Sequence, residues 1–211
     1  MKRIARPKAS NLPFNLILLG DPASGKGTQS AKLARRYGMY DLDMGREVKK
    51  PENLRLYDYA RTTAVGKLTP TSVARKIFRE KILRTPSRQG IVFSGTPKMI
   101  GEAKLVERLL RGSKRKDPLV LYIHVPVAEI LRRMQKRRVY VRGRAVRRDD
   151  DNERALANRR RYYREQVSQV VEFFKKRYEF RSISGMGSEA EVAARIESAI
   201  AVHHKKRGNS K

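Results

Sequence analysis

A glycine-rich loop directly after a short apolar run is the sequence feature that most constrains the fold. The run Asn15–Leu19 predicts a buried strand, and the stretch GDPASGKGTQS, Gly20–Ser30, leads into a helix that is expected to begin at Gly27 and end before Gly38. Successive small residues let the backbone wrap around a phosphate, with N–H groups pointing inwards and a helix N-terminus behind them. Because the loop lies between a strand and a helix, the sequence predicts a phosphate-binding site in an α/β fold.

The rest of the chain alternates short apolar runs with amphipathic stretches. Further strands are predicted at Met39–Leu42, Ile91–Phe93, Leu119–Val125 and Phe180–Ile183. Further helices are predicted at Ile100–Leu110, Val127–Arg138, Asp151–Lys176 and Ser188–Val202. Such alternation is typical of a parallel sheet, here of about five strands, covered by helices. Between Tyr40 and Pro86 it lapses into two helices with no clear strand, which indicates an insertion over one side of the sheet.

Cysteine is missing from the sequence, which excludes disulfides and thiolate metal sites. The basic start is followed by a short apolar run, but Pro13 and Asn15 interrupt it and it leads into the glycine loop, unlike a secretory signal. No segment is long and apolar enough to span a membrane. We therefore expect a cytoplasmic protein without a membrane segment.

Charge is the outlier of the composition. The chain has 50 Lys and Arg residues against 21 Asp and Glu residues, a formal net charge of +29. The excess lies at both ends and is densest between Arg132 and Arg164. Solubility and nucleotide phosphates are one explanation, although a nucleotide needs only a few of these cations. Association with RNA or with the ribosome is the other, because a chain this basic attracts polyanions whatever its fold.

The loop also has an unusual order, with Gly27 directly after Lys26 and Thr28 one place later. With this variant, the chain resembles the nucleoside monophosphate kinases, and the adenylate kinase family most closely. The segments that carry the resemblance are GDPASGKGTQSAKLARRYG, GKLTPTSVARKIFREKI, GIVFSGTPKMIGEA, LYIHVPVAEILRRMQKRR and RRDDDNERALANRRRYY, in that family's order and spacing. The resemblance implies a three-layer P-loop nucleoside-kinase fold and transfer of the γ-phosphate of Mg²⁺-ATP to a nucleoside monophosphate, with AMP favoured.

The resemblance also implies how one domain is divided. It implies a monomer in which a core carries a helical insertion for the monophosphate, a short lid and basic tails. The core is expected at 12–39, 87–138 and 149–202, the insertion at 40–86, the lid at 139–148 and the tails at 1–10 and 203–211. Because the lid is short and lacks the cysteines of zinc-bearing members, we expect no zinc and no metal held by protein ligands alone.

On the donor side, Lys26 is expected to reach the outer phosphates, and Thr28 to contact Mg²⁺ or phosphate oxygens. Ala23 stands where most family members have glycine. The positions that the resemblance assigns to ATP are Gly20, Ala23, Ser24, Gly25, Lys26, Gly27, Thr28, Arg133, Arg137 and Gly187.

Four arginines match the family's charge clamp. Planar guanidinium groups hold phosphate oxygens in fixed geometry, and phosphoryl transfer depends mainly on alignment and charge neutralisation. Arg133 and Arg137 lie four residues apart and share a helix face, whereas Arg148 and Arg159 flank the stretch DDDNERALAN. By resemblance the first two hold the donor nucleotide and the other two bridge donor and acceptor phosphates. With Lys26 they form the expected catalytic set.

The acceptor side departs from the family pattern. Met44 replaces a threonine, Lys49 and Lys98 replace arginines, and Ser94 replaces an aspartate. Lysine keeps the charge but loses the two-pronged grip, and a neutral serine orders magnesium-bound water less well, so both changes predict a slower enzyme. The positions that the resemblance assigns to the monophosphate are Met44, Gly45, Lys49, Lys67, Leu68, Thr69, Gly95, Thr96, Pro97, Lys98, Glu102, Arg148 and Arg159.

Two questions stay open at this point. Glu102 stands where the family has a glutamine, and a carboxylate matches the N–H donors of guanine better than adenine. Either base preference is relaxed, or Glu102 is a solvated helix residue or out of register by one. The eroded acceptor side and the charge also allow a second function, a nucleotide-binding protein with weak or no activity that acts on RNA or the ribosome. A kinase for another monophosphate is a third reading.

Overall fold

The computed structural model describes residues 14–21, 23–136, 139–141, 144–146, 161 and 163–208. Seven strands are present among them: β1 (Asn15–Gly20), β2 (Tyr40–Asp43), β3 (Ile91–Ser94), β4 (Pro118–His124), β5 (Val139–Val141), β6 (Arg144–Val146) and β7 (Phe180–Ser184). Eight α-helices accompany them: α1 (Lys26–Tyr37), α2 (Met44–Glu47), α3 (Pro51–Leu54), α4 (Thr71–Arg84), α5 (Ile100–Gly112), α6 (Val127–Lys136), α7 (Ser168–Lys175) and α8 (Glu189–Gly208).

Five strands form one parallel sheet in the order β2-β3-β1-β4-β7. The central strand β1 alternates its side chains between two layers. Ile17 and Leu19 pack with α4, α5 and α7, whereas Leu16 and Leu18 pack with α1 and α8. Burial on both faces explains why the strands are continuous apolar runs. The predicted three-layer fold with a five-stranded parallel sheet is confirmed.

The segment between β2 and β3 is helical, as expected, but it is divided into more than the two helices that the sequence predicts. It contains the one-turn helices α2 and α3, a 3₁₀ turn at Thr63–Val65 and the longer α4. Pro51 begins α3, and Gly66 and Pro70 separate the 3₁₀ turn from α4. The segment between β2 and β3 therefore ends in α4, which packs on one face of the sheet with α5.

Two elements were not predicted from the sequence. β5 and β6 pair antiparallel within the expected lid, with Val139 opposite Val146, and three-residue strands are too short to show a pattern. The helix predicted over 151–176 instead has, in its described part, a π-helical turn at Tyr163–Val167 that leads into α7. The division into core, insertion, lid and tails stays a prediction. None of the described helices is long and apolar enough to cross a membrane.

Candidate active site

The glycine loop begins at the end of β1, where Gly20 lies against Ile123 of β4. Gly20 has φ +146°, and a Cβ atom there would lie 2.1 Å from the carbonyl oxygen of Ile123. The next residue, Asp21, donates its N–H to the same oxygen at 3.2 Å. Only glycine combines this backbone conformation with so close an approach. The start of the loop is therefore fixed by the neighbouring strand.

Asp21 ties the loop to β4 a second time. Its Oδ1 accepts a hydrogen bond from the Tyr122 hydroxyl at 2.8 Å, and its Oδ2 accepts one from the Val125 N–H at 2.8 Å. Burial and the Asp21 carboxylate raise the pKa of Tyr122, so the phenol stays protonated and donates. Both oxygens of this carboxylate therefore serve the fold of the loop.

Lys26 folds back over the loop. Its Nζ donates to the carbonyl oxygens of Gly20 at 2.9 Å and Asp21 at 2.6 Å, and to Ser24 Oγ at 3.2 Å. The loop reaches this shape through left-handed residues at Ala23 (φ +57°) and at Gly25 (φ +88°), which caps α1. The ammonium group is held where the helix N-terminus and the loop N–H groups favour an anion.

The turn after β3 packs directly on Lys26. Gly95 has φ +61° and donates its N–H to the carbonyl of Leu18 at 2.9 Å. A Cβ atom on Gly95 would lie 3.2 Å from the Lys26 Cε. In the same turn, the peptide bond between Thr96 and Pro97 is cis. The predicted donor loop and the predicted acceptor turn thus meet at one lysine, at the carboxyl edge of the sheet where α/β proteins bind ligands.

Arg133 on α6 is locked against the loop by three contacts. Its Nε donates to Glu129 Oε1 at 2.6 Å, its Nη2 to the Gly185 carbonyl at 2.8 Å and its Nη1 to the Ala23 carbonyl at 3.4 Å. Hydrogen bonds from Arg132 and Arg133 lower the pKa of Glu129 to about 2, so this carboxylate is ionised at neutral pH. The guanidinium is therefore oriented before any nucleotide binds.

On the acceptor side, the substituted residues lie in unequal surroundings. Met44 is 6% exposed and belongs to the core. The Lys49 ammonium lies 5.7 Å from the centre of the Tyr59 ring. Lys67, Leu68 and Thr69 form the link into α4, and Thr69 Oγ1 lies 3.4 Å from Thr63 Oγ1. The contact of Met44 with a nucleotide stays a prediction.

Glu102 is neither exposed nor solvated. The residue is 5% exposed, and Oε2 accepts hydrogen bonds from the N–H groups of Lys98 at 2.9 Å and Met99 at 3.4 Å. Burial raises the pKa of Glu102 despite these donors. The carboxylate therefore caps α5 and fixes the end of the turn that carries Lys98. Its effect on base preference stays a hypothesis.

Comparison with known proteins identifies the family of this chain. A family model described as adenylate kinase matches residues 18–179, a range that runs from β1 to the residue before β7. The chain belongs to the adenylate kinase family.

Similar adenylate kinases extend the match over most of the chain. One from Azobacteroides pseudotrichonymphae is 31% identical over 193 residues, 89% of this chain and 97% of the relative. One from Parvibaculum lavamentivorans is 29% identical and covers 92% of this chain and 95% of the relative. One from Thermus thermophilus is 29% identical and covers 89% and 97%.

Three members of the predicted adenylate kinase clamp, Arg137, Arg148 and Arg159, lie outside the described residues, and their roles stay predictions. Two residues that sequence reasoning missed are Asp21 and Glu129. The four-residue spacing of Glu129 and Arg133 on a helix was a usable signal for an ion pair. Asp21 gave no such signal, because its partners lie about a hundred residues away in sequence.

Proposed function

We propose that this member of the adenylate kinase family transfers the γ-phosphoryl group of ATP to AMP, forming two molecules of ADP. The observation that carries the proposal is the position of Lys26 between two elements. Its Nζ is bonded to the loop carbonyls of Gly20 and Asp21, while its Cε lies against the turn at Gly95. A single cation placed between donor loop and acceptor turn suits a reaction in which a phosphoryl group passes between two bound phosphates.

The chemistry asks for charge and alignment more than for proton transfer. Lys26 and Arg133 supply fixed cations at the loop, and Arg137, Arg148 and Arg159 are proposed to complete the clamp. A general base is unnecessary because the acceptor phosphate is already an anion. The β5–β6 hairpin is proposed to close over the site and exclude water.

Mg²⁺ is proposed to enter with ATP, as a counter-charge that neutralises the donor phosphates. No cluster of three or more His, Cys, Asp or Glu residues suited to a metal occurs within the described ranges. Thr28, in the first turn of α1, is a proposed neutral contact for the metal or for phosphate oxygens.

An assay that measures both the ADP formed and the AMP consumed tests the proposed reaction. Purified protein with Mg²⁺, ATP and AMP is expected to form two ADP for each AMP consumed, and GMP, CMP and UMP are expected to be poorer acceptors. ADP formation that persists without AMP would indicate hydrolysis instead and overturn the proposal. GMP turnover equal to AMP turnover would favour the relaxed base preference raised by Glu102.

We propose RNA as a second partner, because one helical face of the molecule carries five exposed cations that form no ion pair with a described residue. Among the described residues, none makes a hydrogen bond or ion pair with the exposed side chains of Arg75, Lys76 and Arg79 on α4 or Lys104 and Arg108 on α5. These five residues are called the α4–α5 face.

The α4–α5 face is compact. α4 leads into β3 and α5 leaves it, so both helices run opposite to the strands and parallel to each other. Their first turns are level, since Thr71 Oγ1 lies 3.4 Å from Met99 Sδ. Spacings of four residues on each helix therefore place two rows of cations side by side. With no aromatic residue in α5 and only a buried Phe78 in α4, the face suits a phosphate backbone rather than stacked bases.

Salt-dependent binding of a short double-stranded RNA, followed by fluorescence anisotropy, tests this second proposal. A variant that replaces Arg75, Arg79, Lys104 and Arg108 with glutamine is expected to bind more weakly and to lower the slope of log K against log salt by about 3 to 4. The matched control replaces four cations of the opposite layer, Lys32, Arg35, Arg36 and Lys205. Equal losses in both variants would show that net charge, and not this face, binds RNA.

A further inference from the structure

Asp43, the last residue of β2, lies beside the phosphate loop. In the register of the sheet it pairs with Ser94 on β3, which in turn pairs with Leu18 on β1, so all three lie at the carboxyl edge. A Cβ atom on Gly27 would lie 3.4 Å from Asp43 Oδ2. The carboxylate therefore faces the first turn of α1, next to Lys26 and Thr28.

The strand β3 ends in a serine and provides no carboxylate at this edge. Mg²⁺ keeps several waters and is usually held by one or two carboxylates together with substrate phosphates. Ser94 at the end of β3 is neutral, and its side chain is buried. Asp21 belongs to the loop, but Tyr122 and Val125 occupy its two oxygens. Asp41, two residues earlier on β2, is bonded to Arg46.

Among the described carboxylates at this edge, Asp43 is the one that keeps an oxygen towards the loop. Its Oδ1 accepts the N–H of Arg46 at 3.1 Å, whereas Oδ2 faces Gly27 and forms only a long ion pair, at 3.8 Å, with Arg46 Nε. We infer that Asp43 is a positioning residue that orders the water shell of Mg²⁺ at the nucleotide phosphates, in place of a carboxylate at position 94. The inference rests on the proposed function of this same site.

A purely structural role for Asp43 makes a different prediction. Asp43 is the N-cap of α2, and asparagine caps a helix as well as aspartate does. Asp43→Asn therefore keeps the cap and removes the charge. If capping were the whole role, the variant would behave as the wild type. If the carboxylate orders the metal shell, metal binding falls while folding is retained.

The test follows binding of Mn²⁺, as a spectroscopic substitute for Mg²⁺, to the complex of full-length protein and ATP by electron paramagnetic resonance. Asp43→Asn is expected to weaken Mn²⁺ binding about 10-fold or more, with metal-free ATP binding not weakened and the melting temperature close to wild type. Asp41→Asn, on the same face of β2, is the matched control and is expected to leave Mn²⁺ binding unchanged.

A second variant makes the inference sharper. Ser94→Asp introduced into Asp43→Asn returns a carboxylate to the adjacent strand, and is expected to recover most of the lost Mn²⁺ affinity. Unchanged Mn²⁺ binding in Asp43→Asn would overturn the inference, as would an equal loss in Asp41→Asn. Because the signal comes from bound metal and not from turnover, a wild-type protein that formed no ADP would count against the proposed function alone.

Discussion

Lys26→Ala is expected to lower kcat/KM for ADP formation from ATP and AMP by about two to three orders of magnitude. The Lys26 ammonium is held by two loop carbonyls and Ser24 Oγ, and its chain lies against Gly95, so its charge is in place before substrate arrives. A fixed cation of this kind costs no reorganisation during transfer, which is why its loss is expected to be large. Arg133 and the loop N–H groups remain in the variant and account for residual activity.

Lys32→Ala is the matched control for that prediction. It also removes a lysine from α1. Unlike Lys26, however, Lys32 forms an ion pair with Glu189 on α8. Activity close to wild type is expected for this variant. The melting temperatures of both variants are measured as well. They show whether Lys26→Ala loses activity because the charge is gone or because the loop has lost its hydrogen bonds to Lys26. If wild type and Lys26→Ala formed ADP at the same rate, the proposed role of the loop would be wrong.

The parts of the fold that local pattern controls were predictable from the sequence. Strands buried on both faces are continuous apolar runs, so β1, β3, β4 and β7 were placed within a residue or two of their bounds. The loop was recognisable because a strand, small residues and a helix follow one another without interruption. The hairpin β5–β6 was missed, because three residues on each side carry no periodicity.

The details of the site depend on contacts that no local pattern reveals. The sequence predicts Met44 at a nucleotide contact, but it does not show that the residue is also buried in the core cluster that contains Leu42 and Val73. Glu102 was interpreted through its chemistry towards a base, but it also caps α5 through two backbone N–H groups. Asp21 and Asp43 received no role from the sequence, because each of them contacts groups that come from other parts of the chain.

Gly20→Ala is expected to lower the free energy of unfolding by about 3 to 5 kcal/mol, the combined cost of backbone strain and overpacking. A Cβ atom at residue 20 would lie 2.1 Å from the Ile123 oxygen and 2.9 Å from its carbonyl carbon and its nitrogen. These are backbone atoms of β4, which pairs with β1 at this same position, so they cannot move without separating the two central strands. Movement there would also break the Asp21 contacts with Tyr122 and Val125.

Gly38→Ala is the comparison that isolates the close contact, measured with Gly20→Ala by urea unfolding. Gly38 also has a left-handed backbone, φ +64°, as the C-cap of α1, but a Cβ atom there would meet nothing within 4 Å. Strain alone is therefore expected to cost Gly38→Ala about 1 kcal/mol. Equal losses in the two variants would mean that β4 yields at Ile123 and that the loop is not fixed by that strand. A much larger loss of stability is expected for Gly20→Ala instead, because a Cβ atom at the start of the phosphate loop would meet the backbone of β4 at the centre of the sheet.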